Sequence, residues 1–365
     1  HGGIVITASH NPSGWNALKF LNEVGEFIST PFCEEVFKRA NNDNYSFAES
    51  KNIGRIICSK VTIREHIDNI LSLALVDISS IKAKKFKIIV DPVNSTGGVA
   101  IPLLLEKLGV EVDQINGELS GVFSHNPEPL PKNIRQICKE IKNGKFDLGI
   151  VVDPDVDRLV FVDENGKPFG EEYTLVAVSD YVLSKTPGNT VSNLSSTKAL
   201  KLVTEKRNGI YYPAAVGEVN VVAKMKEVGA VIGGEGNGGI IYPELHYGRD
   251  ALVGIALFLS YLAQFNRSAS ILRSQYPNYF ISKNKIELDS KINIEVILEK
   301  LRRKYAKNPI STIDGLKIHF DDDWIHLRKS NTEPILRIFA ESKNLVTADH
   351  LANKIISDIK EIIAD

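Results

Sequence analysis

From Lys87 onward, short runs of β-branched residues alternate with longer segments whose apolar positions recur at helical spacing, the rhythm of βαβ units around a largely parallel sheet. The apolar runs predict strands over 87–90, 110–115, 148–152, 190–194, 210–213 and 230–233. The helical periods between them predict helices over 99–108, 132–143, 172–184, 197–207 and 219–228. The pattern then changes to a strand over 285–288, a helix over 294–305, strands near 317–320, 324–327 and 335–340, and a final helix over 346–363. Strands clustered between two helices point to a separate α+β domain. Segment 266–284, with Ser, Pro and Asn scattered through it, reads as a linker, and softer boundaries fall near 53–62 and 166–170. No fixed sequence period and no low-complexity tract appears; what recurs is architecture.

Composition narrows the class. A length of 365 residues predicts about two to three domains. With 43% hydrophobic and 24% charged residues the chain can build packed cores, which excludes a disordered or fibrous protein. The net charge of −1 leaves no basic surplus for a phosphate polymer, so nucleic acid is not expected as a partner. Cys33, Cys58 and Cys138 are odd in number and form no CxxC pair, which argues against a disulfide framework or a thiolate zinc site and fits a reducing cytoplasm. The longest apolar stretch, Ala251–Phe265, is too short to span a bilayer, so no membrane is expected as a partner either. The chain opens at His1, two glycines before the strand-like run 4–8, and reads as lacking its beginning. It carries no signal of oligomeric state.

Four loops could carry chemistry. The first, Thr7-Ala8-Ser9-His10-Asn11-Pro12-Ser13-Gly14, leaves Ser9 at the carboxyl end of a strand, where α/β proteins usually place their sites. There a serine hydroxyl could act as nucleophile or phosphoryl carrier, with His10 or Lys19 to manage protons, or the cluster could simply build a turn. The second, Asp153-Pro154-Asp155-Val156-Asp157-Arg158, follows an apolar strand. In extended chain its alternate side chains share one side, and three converging carboxylates call for a hard divalent cation such as Mg²⁺. The third is Gly233-Gly234-Glu235-Gly236-Asn237-Gly238-Gly239, whose glycines let backbone approach a ligand while Glu235 and Asn237 suit sugar hydroxyls. It matches neither a Walker loop nor a dinucleotide fingerprint, and a flexible turn is its plain alternative. In the fourth, Arg328-Lys329-Ser330-Asn331-Thr332-Glu333-Pro334, an arginine, two hydroxyls and a tight turn could cradle phosphate or serve only as a polar hairpin connection. His66, His246, His319, His326 and His350 show no metal-ligand spacing and read as ordinary histidines. Asp321-Asp322-Asp323 reads as a solvated turn, and Trp15 and Trp324 as packing residues, with Trp15 near enough to Ser9 in sequence to wall a site.

Taken together, TASHNP, DPDVDR, GEGNGG and RKSNTEP, in this order and spacing, resemble the α-D-phosphohexomutase family, which includes phosphoglucomutase, phosphomannomutase and phosphoglucosamine mutase. The resemblance covers the whole chain. It implies an α/β fold of tandem related domains with mixed sheets plus a smaller C-terminal α+β domain, arranged around a cleft. The corresponding expectation here is a remainder of a phosphoserine domain over 1–60, a metal-binding domain over 61–168, a sugar-binding domain over 169–268 and a phosphate-binding domain over 280–365. The family's first domain begins well upstream of its serine motif, so the first domain is expected to lack its N-terminal part.

The resemblance further implies that Ser9 carries the phosphoryl group and that Asp153, Asp155 and Asp157 hold Mg²⁺ with it. Lys19 would assist proton transfer and Arg158 would accompany the metal loop. Glu235 and Asn237 would bind sugar hydroxyls, and Arg328, Ser330, Asn331 and Thr332 the phosphate that is not transferred. The implied reaction is the Mg²⁺-dependent interconversion of a hexose 6-phosphate and a hexose 1-phosphate, with a sugar 1,6-bisphosphate as intermediate and activator. Two departures stand out: Glu218 replaces a histidine used in proton transfer by phosphomannomutase/phosphoglucomutase enzymes, and Gly239 replaces the histidine of their GEMSGH loop. The GEGNGG loop tilts the substrate toward glucosamine phosphate, with phosphomannomutase/phosphoglucomutase as the alternative. A metal-dependent phosphatase and a non-catalytic sugar-phosphate binder are the readings from other classes.

Overall fold

The apolar runs of residues 87–241 assemble, in a computed structural model describing residues 1–42, 45–287, 293–330 and 335–364, into two sheets of identical strand order. In the first, Glu111–Gln114, Lys87–Asp91 and Leu148–Val152 lie parallel and Leu159–Asp163 closes the edge antiparallel. In the second, Tyr211–Ala214, Asn189–Asn193 and Ala230–Glu235 lie parallel and Gly239–Ile241 closes the edge in the same way. The recurring architecture is therefore a repeated topology, and the loops 153–158 and 236–238 are its equivalent hairpin turns. Neither closing strand is predicted from the sequence, because each is a short run directly after a loop whose residues read as chemistry and not as a hairpin turn.

The helix Ala251–Phe265, seen in the sequence only as an apolar stretch, lies between these two units with twelve of its residues buried. A helix apolar on every side needs packing on every side. Phe258 stacks on Phe161 of the first sheet with ring centroids 3.8 Å apart and meets Phe169 edge-on at 5.4 Å, so the two sheets share one core. No helix among the described residues is long and apolar enough to cross a membrane.

The C-terminal unit is a five-stranded antiparallel sheet in the order Phe280–Glu287, Ile335–Ser342, Trp324–Lys329, Leu316–His319 and Ile310–Ser311. The helices Ile294–Lys304 and Leu345–Ala364 cover it, and its core is separate. Here the structure corrects the expected linker: the strand placed at 285–288 starts at Phe280 instead, and Leu288 lies outside the described residues. Tyr276 and Tyr279, within the expected linker, are buried in the core of the preceding domains, so this crossing is packed. Trp324 is buried as expected, donating from Nε1 to Glu341 Oε1 at 2.6 Å, whereas Trp15 is largely exposed.

At the other end, Gly3–Ile6 and Leu18–Leu21 pair antiparallel with Val5 opposite Lys19, followed by the helix Thr30–Asn41. This hairpin presents the loop that contains Ser9.

Candidate active site

Ser9 sits three residues beyond its strand with φ of 51°, left-handed backbone that an L-residue occupies only when its surroundings enforce it. Thr7 helps to enforce it: its Oγ1 accepts from Ser9 N at 2.9 Å and donates to Asp155 Oδ2 at 3.2 Å. The serine hydroxyl is thereby aimed at the acidic loop, with Oγ 3.3 Å from Asp153 Oδ2. His10 Nε2 lies 3.2 Å from Arg158 Nη2, and Nδ1 lies 3.2 Å from Ser9 Oγ. An arginine can only donate, so Nε2 accepts and the proton sits on Nδ1, facing the serine. Burial, then Arg158, pushes the His10 pKa down to about 4 and keeps the ring neutral.

The acidic triplet converges through a turn and not, as the sequence reading had it, through an extended run. Val156 N donates to Asp153 O at 3.1 Å, and Val156 itself has φ of 59°, an uncommon state for a β-branched residue. Asp153 Oδ1 accepts from the amides of Asp157 and Arg158, fixing the carboxylate. One ligand atom from each of Asp153, Asp155 and Asp157 lies within 4.8 Å of the others. Burial, then the charges of Asp157 and Asp155, holds the Asp153 pKa well above the usual carboxylate value. Asp155 Oδ1 and Asp157 Oδ1 are buried without a hydrogen-bond partner. Orphaned carboxylate oxygens in a loop whose three carboxylates converge fit a hard divalent cation of the Mg²⁺ class, which takes oxygen ligands.

Lys19 reaches the same loop, with Nζ 2.6 Å from Asp155 Oδ2 and 3.1 Å from Asp157 Oδ2. Burial alone would lower its pKa, but Asp157 and Asp155 outweigh that and raise it, so the amine stays charged. Arg158 donates from Nη1 to Glu128 Oε1 at 3.0 Å.

The glycine loop turns the sequence expectation partly inward. Glu235 is buried and both its oxygens are engaged, Oε1 by Asn193 Nδ2 and Gly217 N, Oε2 by Arg249 Nη1 at 2.9 Å. Asn237 folds back on Gly239 N and Glu235. Two of the glycines are demanded by close approach. A Cβ at Gly236 would meet the Glu172 carboxylate at 2.1 Å, and one at Gly238, where φ is 89°, would meet Leu159 O at 2.2 Å. Leu159 N donates to Gly238 O, so this loop is stitched to the strand that leaves the acidic loop.

Arg249 ties these pieces together. Its guanidinium bonds Asp157 Oδ2 at 2.6 Å, Glu218 Oε2 at 2.7 Å and Glu235 Oε2 at 2.9 Å. The sequence reading missed it, since its three partners come from three separate loops; its only local signal is a charged pair, Arg249-Asp250, opening an apolar helix. Glu218, the departure noted in the sequence, is thus a partner of Arg249, and its own carboxyl is pushed up by burial despite that arginine.

A cleft of about 960 Å³ gathers the loops, lined by His10, Arg158, Glu235 and Asn237 on one side and Arg328 on the other. Ser330 is buried and its amide closes the loop on Ile335 O at 3.0 Å. Asn331 and Thr332 lie outside the described residues. Three further groups in the cleft were not expected there: Ser195 and Glu172, which no motif marked, and His326, which reads from sequence as an ordinary histidine. Ser195 Oγ lies 2.9 Å from His326 Nδ1, bridging the second sheet unit and the C-terminal sheet. His326 Nε2 donates to Asp314 O at 2.7 Å, so Nδ1 accepts, and burial takes the ring pKa down to about 4. Glu172 is half-buried in the cleft wall, where desolvation raises its pKa to about 8 while Thr197 N donates to it at 2.8 Å.

All four domains of the phosphoglucomutase/phosphomannomutase family match this chain: alpha/beta/alpha domain I over residues 1–46, domain II over 64–166, domain III over 170–279 and the C-terminal domain over 285–357. A phosphoglucosamine/phosphogalactosamine mutase of Sulfurisphaera tokodaii is 34% identical over 375 residues, covering 99% of this chain and 80% of the relative. A phosphoglucomutase/phosphomannomutase of Thermococcus kodakarensis is 35% identical over 350 residues, covering 94% and 75%. Among solved structures, a family protein of Burkholderia thailandensis superposes with a TM-score of 0.84 at 25% identity over 99% of this chain and 76% of that one. The fold of an Aspergillus fumigatus N-acetylphosphoglucosamine mutase, solved with GlcNAc-6P and magnesium, is also similar, with a TM-score of 0.69 at 14% identity over 99% and 89%. With its repeated sheets and facing loops, the chain belongs to the phosphoglucomutase/phosphomannomutase family and is a phosphohexomutase, an isomerase that moves a phosphoryl group within its sugar substrate.

Proposed function

We propose that this enzyme interconverts glucosamine 6-phosphate and glucosamine 1-phosphate through a phosphorylated Ser9 and a sugar 1,6-bisphosphate. The observation that carries the reading is the Ser9 hydroxyl, held in a strained turn 3.3 Å from Asp153 Oδ2 at the carboxylate triplet. The substrate assignment is supported by relatives named phosphoglucosamine mutase, such as that of Methanocaldococcus jannaschii at 28% identity over 99% of this chain. The Thermococcus relative, at 35%, favours a second reading on glucose or mannose phosphate.

In the proposed cycle the phosphoryl group on Ser9 Oγ passes to a sugar hydroxyl: the P–O bond to Ser9 breaks as the new P–O bond forms, and the proton lost by the sugar hydroxyl ends on the freed Ser9 Oγ. The bisphosphate turns end for end, and Ser9 takes back the other phosphate. Asp153, Asp155 and Asp157, with the Ser9 oxygen, would hold Mg²⁺, which would neutralise charge on the transferring phosphoryl oxygens. Lys19 would add its own positive charge there, since it is held as an ammonium by Asp155 and Asp157. Neutral His10 orients the serine through Nδ1 and does not take its proton. Arg328 and the buried Ser330, with Asn331 and Thr332, would grip the distal phosphate, and Glu235 and Asn237 the sugar. A trace of bisphosphate would act as activator by phosphorylating Ser9. The free state of Cys33, Cys58 and Cys138 supports a cytoplasmic setting.

The test is ³¹P NMR with Mg²⁺, a trace of sugar 1,6-bisphosphate, and glucosamine, glucose and mannose 6-phosphates in competition. The expected result is a 1-phosphate signal growing first from glucosamine. Faster conversion of glucose or mannose selects the second reading, and growth of inorganic phosphate alone overturns both in favour of hydrolysis.

A further inference from the structure

Beside the acidic loop, where His246 lines a small pocket with Lys19, Asp155 and Asp157, two histidines read from the sequence as ordinary meet a buried aspartate. His66 lies on the helix Thr62–Leu71 of the first sheet unit, while His246 and Asp250 belong to the segment entering the helix Ala251–Phe265. His66 Nε2 is 2.7 Å and His246 Nε2 is 3.1 Å from the same atom, Asp250 Oδ2. The three ligand atoms all lie within 4.8 Å of one another.

Asp250 cannot turn away. Its Oδ1 caps the helix by accepting from Leu252 N at 2.7 Å and Val253 N at 3.2 Å, which leaves Oδ2 pointing at the imidazoles. A ligating carboxylate fixed by backbone donors is the usual outer support of a metal site. The carboxylate is buried, with 7% side-chain exposure, while His66 and His246 are 33% and 42% exposed. One side of the cluster is therefore open to solvent, where a water or other fourth ligand can enter. Two imidazole nitrogens and one carboxylate oxygen are the donor set of three-ligand zinc sites, and such nitrogen-rich sets favour zinc-type ions over Mg²⁺.

We propose that His66, His246 and Asp250 bind a divalent transition-metal ion of the zinc type, separate from the three-aspartate loop, and that this ion clamps the first sheet unit to the second. The clamp would also steady the active-site lining. Asp250 directly follows Arg249, whose guanidinium holds Asp157, Glu218 and Glu235, and Ala251 N donates to Val156 O at 3.0 Å.

The test titrates the metal-free full chain with Co²⁺, whose visible absorption reports a low-coordinate site with nitrogen ligands, alongside the His246→Gln, His66→Gln and Asp155→Asn variants. Expected is one equivalent of strongly absorbing Co²⁺, displaced by Zn²⁺ and retained in Asp155→Asn. Each histidine variant should weaken that binding by roughly tenfold or more. Thermal unfolding supplies a second readout: Zn²⁺ should raise the melting temperature of the unmodified chain and not that of His246→Gln, whose half-exposed ring can be replaced without unfolding the protein. Equal Co²⁺ binding by the unmodified chain and both histidine variants overturns the proposal. So does loss of all Co²⁺ binding in Asp155→Asn, or no absorbing Co²⁺ species at all; each would leave the cluster as a hydrogen-bonded contact only.

Discussion

Ser9 and Val156 both sit in left-handed backbone, each at a cost of order 1–2 kcal/mol, one in the serine loop and the other in the acidic loop that the serine hydroxyl meets. Strain kept at that meeting point is what a pre-positioned nucleophile requires. Ser9→Ala should therefore abolish mutase turnover while leaving the unfolding midpoint nearly unchanged; a variant that still converts substrate would remove the phosphoserine from the mechanism. Asp155→Asn takes away a buried, unpartnered acceptor and one negative charge, and should weaken Mg²⁺ binding by roughly tenfold or more in titration calorimetry. Glu172 gives a pH signature. Its folded pKa of about 8 stands above the ordinary 4.5, so the folded chain holds a proton that the unfolded chain has released. Stability should then fall as pH rises from about 4.5 to about 8, and Glu172→Gln should flatten that slope in urea unfolding followed across the range. Ser9 and the aspartates were legible in the sequence because each lies in a compact local motif. Arg249, Glu172 and the Ser195–His326 pair were not, because their meaning lies in partners from other loops.

The two hairpin turns that carry the acidic loop and the glycine loop occupy the same place in two sheets of the same order. One backbone arrangement thus presents aspartates in one unit and glycines in the other. Gly238→Ala would force a Cβ to 2.2 Å from Leu159 O at a φ of 89°. It should destabilise the chain by more than about 1 kcal/mol. Behind both turns, the helix Ala251–Phe265 packs on all sides, and Phe258→Ala should cost about 3–5 kcal/mol in urea unfolding because its ring joins the two sheet units. The periodicity of 87–233 made the parallel strands readable, whereas the antiparallel strands Leu159–Asp163 and Gly239–Ile241 show only once their partners are known.

Across the whole molecule, Arg158 of the acidic loop and Arg328 line one cleft of about 960 Å³ from units with separate cores. A ligand phosphorylated at both ends can neutralise both walls only by drawing them together. Adding hexose 1,6-bisphosphate with Mg²⁺ should lower the radius of gyration in small-angle scattering, inorganic phosphate should not, and Arg328→Ala should abolish the change. An unchanged radius with bound bisphosphate would show the cleft to be rigid.

By itself the sequence determined the alternation of strands and helices, the C-terminal change of pattern and the four loops, because periodicity and turn chemistry are local properties. The tertiary structure alone decided that the glycine loop's carboxylate turns inward to Arg249, that the expected linker is packed, and that His66 and His246 share Asp250. Those facts depend on side chains brought together from distant segments by the burial of one apolar helix between two sheets, and no local pattern encodes such a meeting.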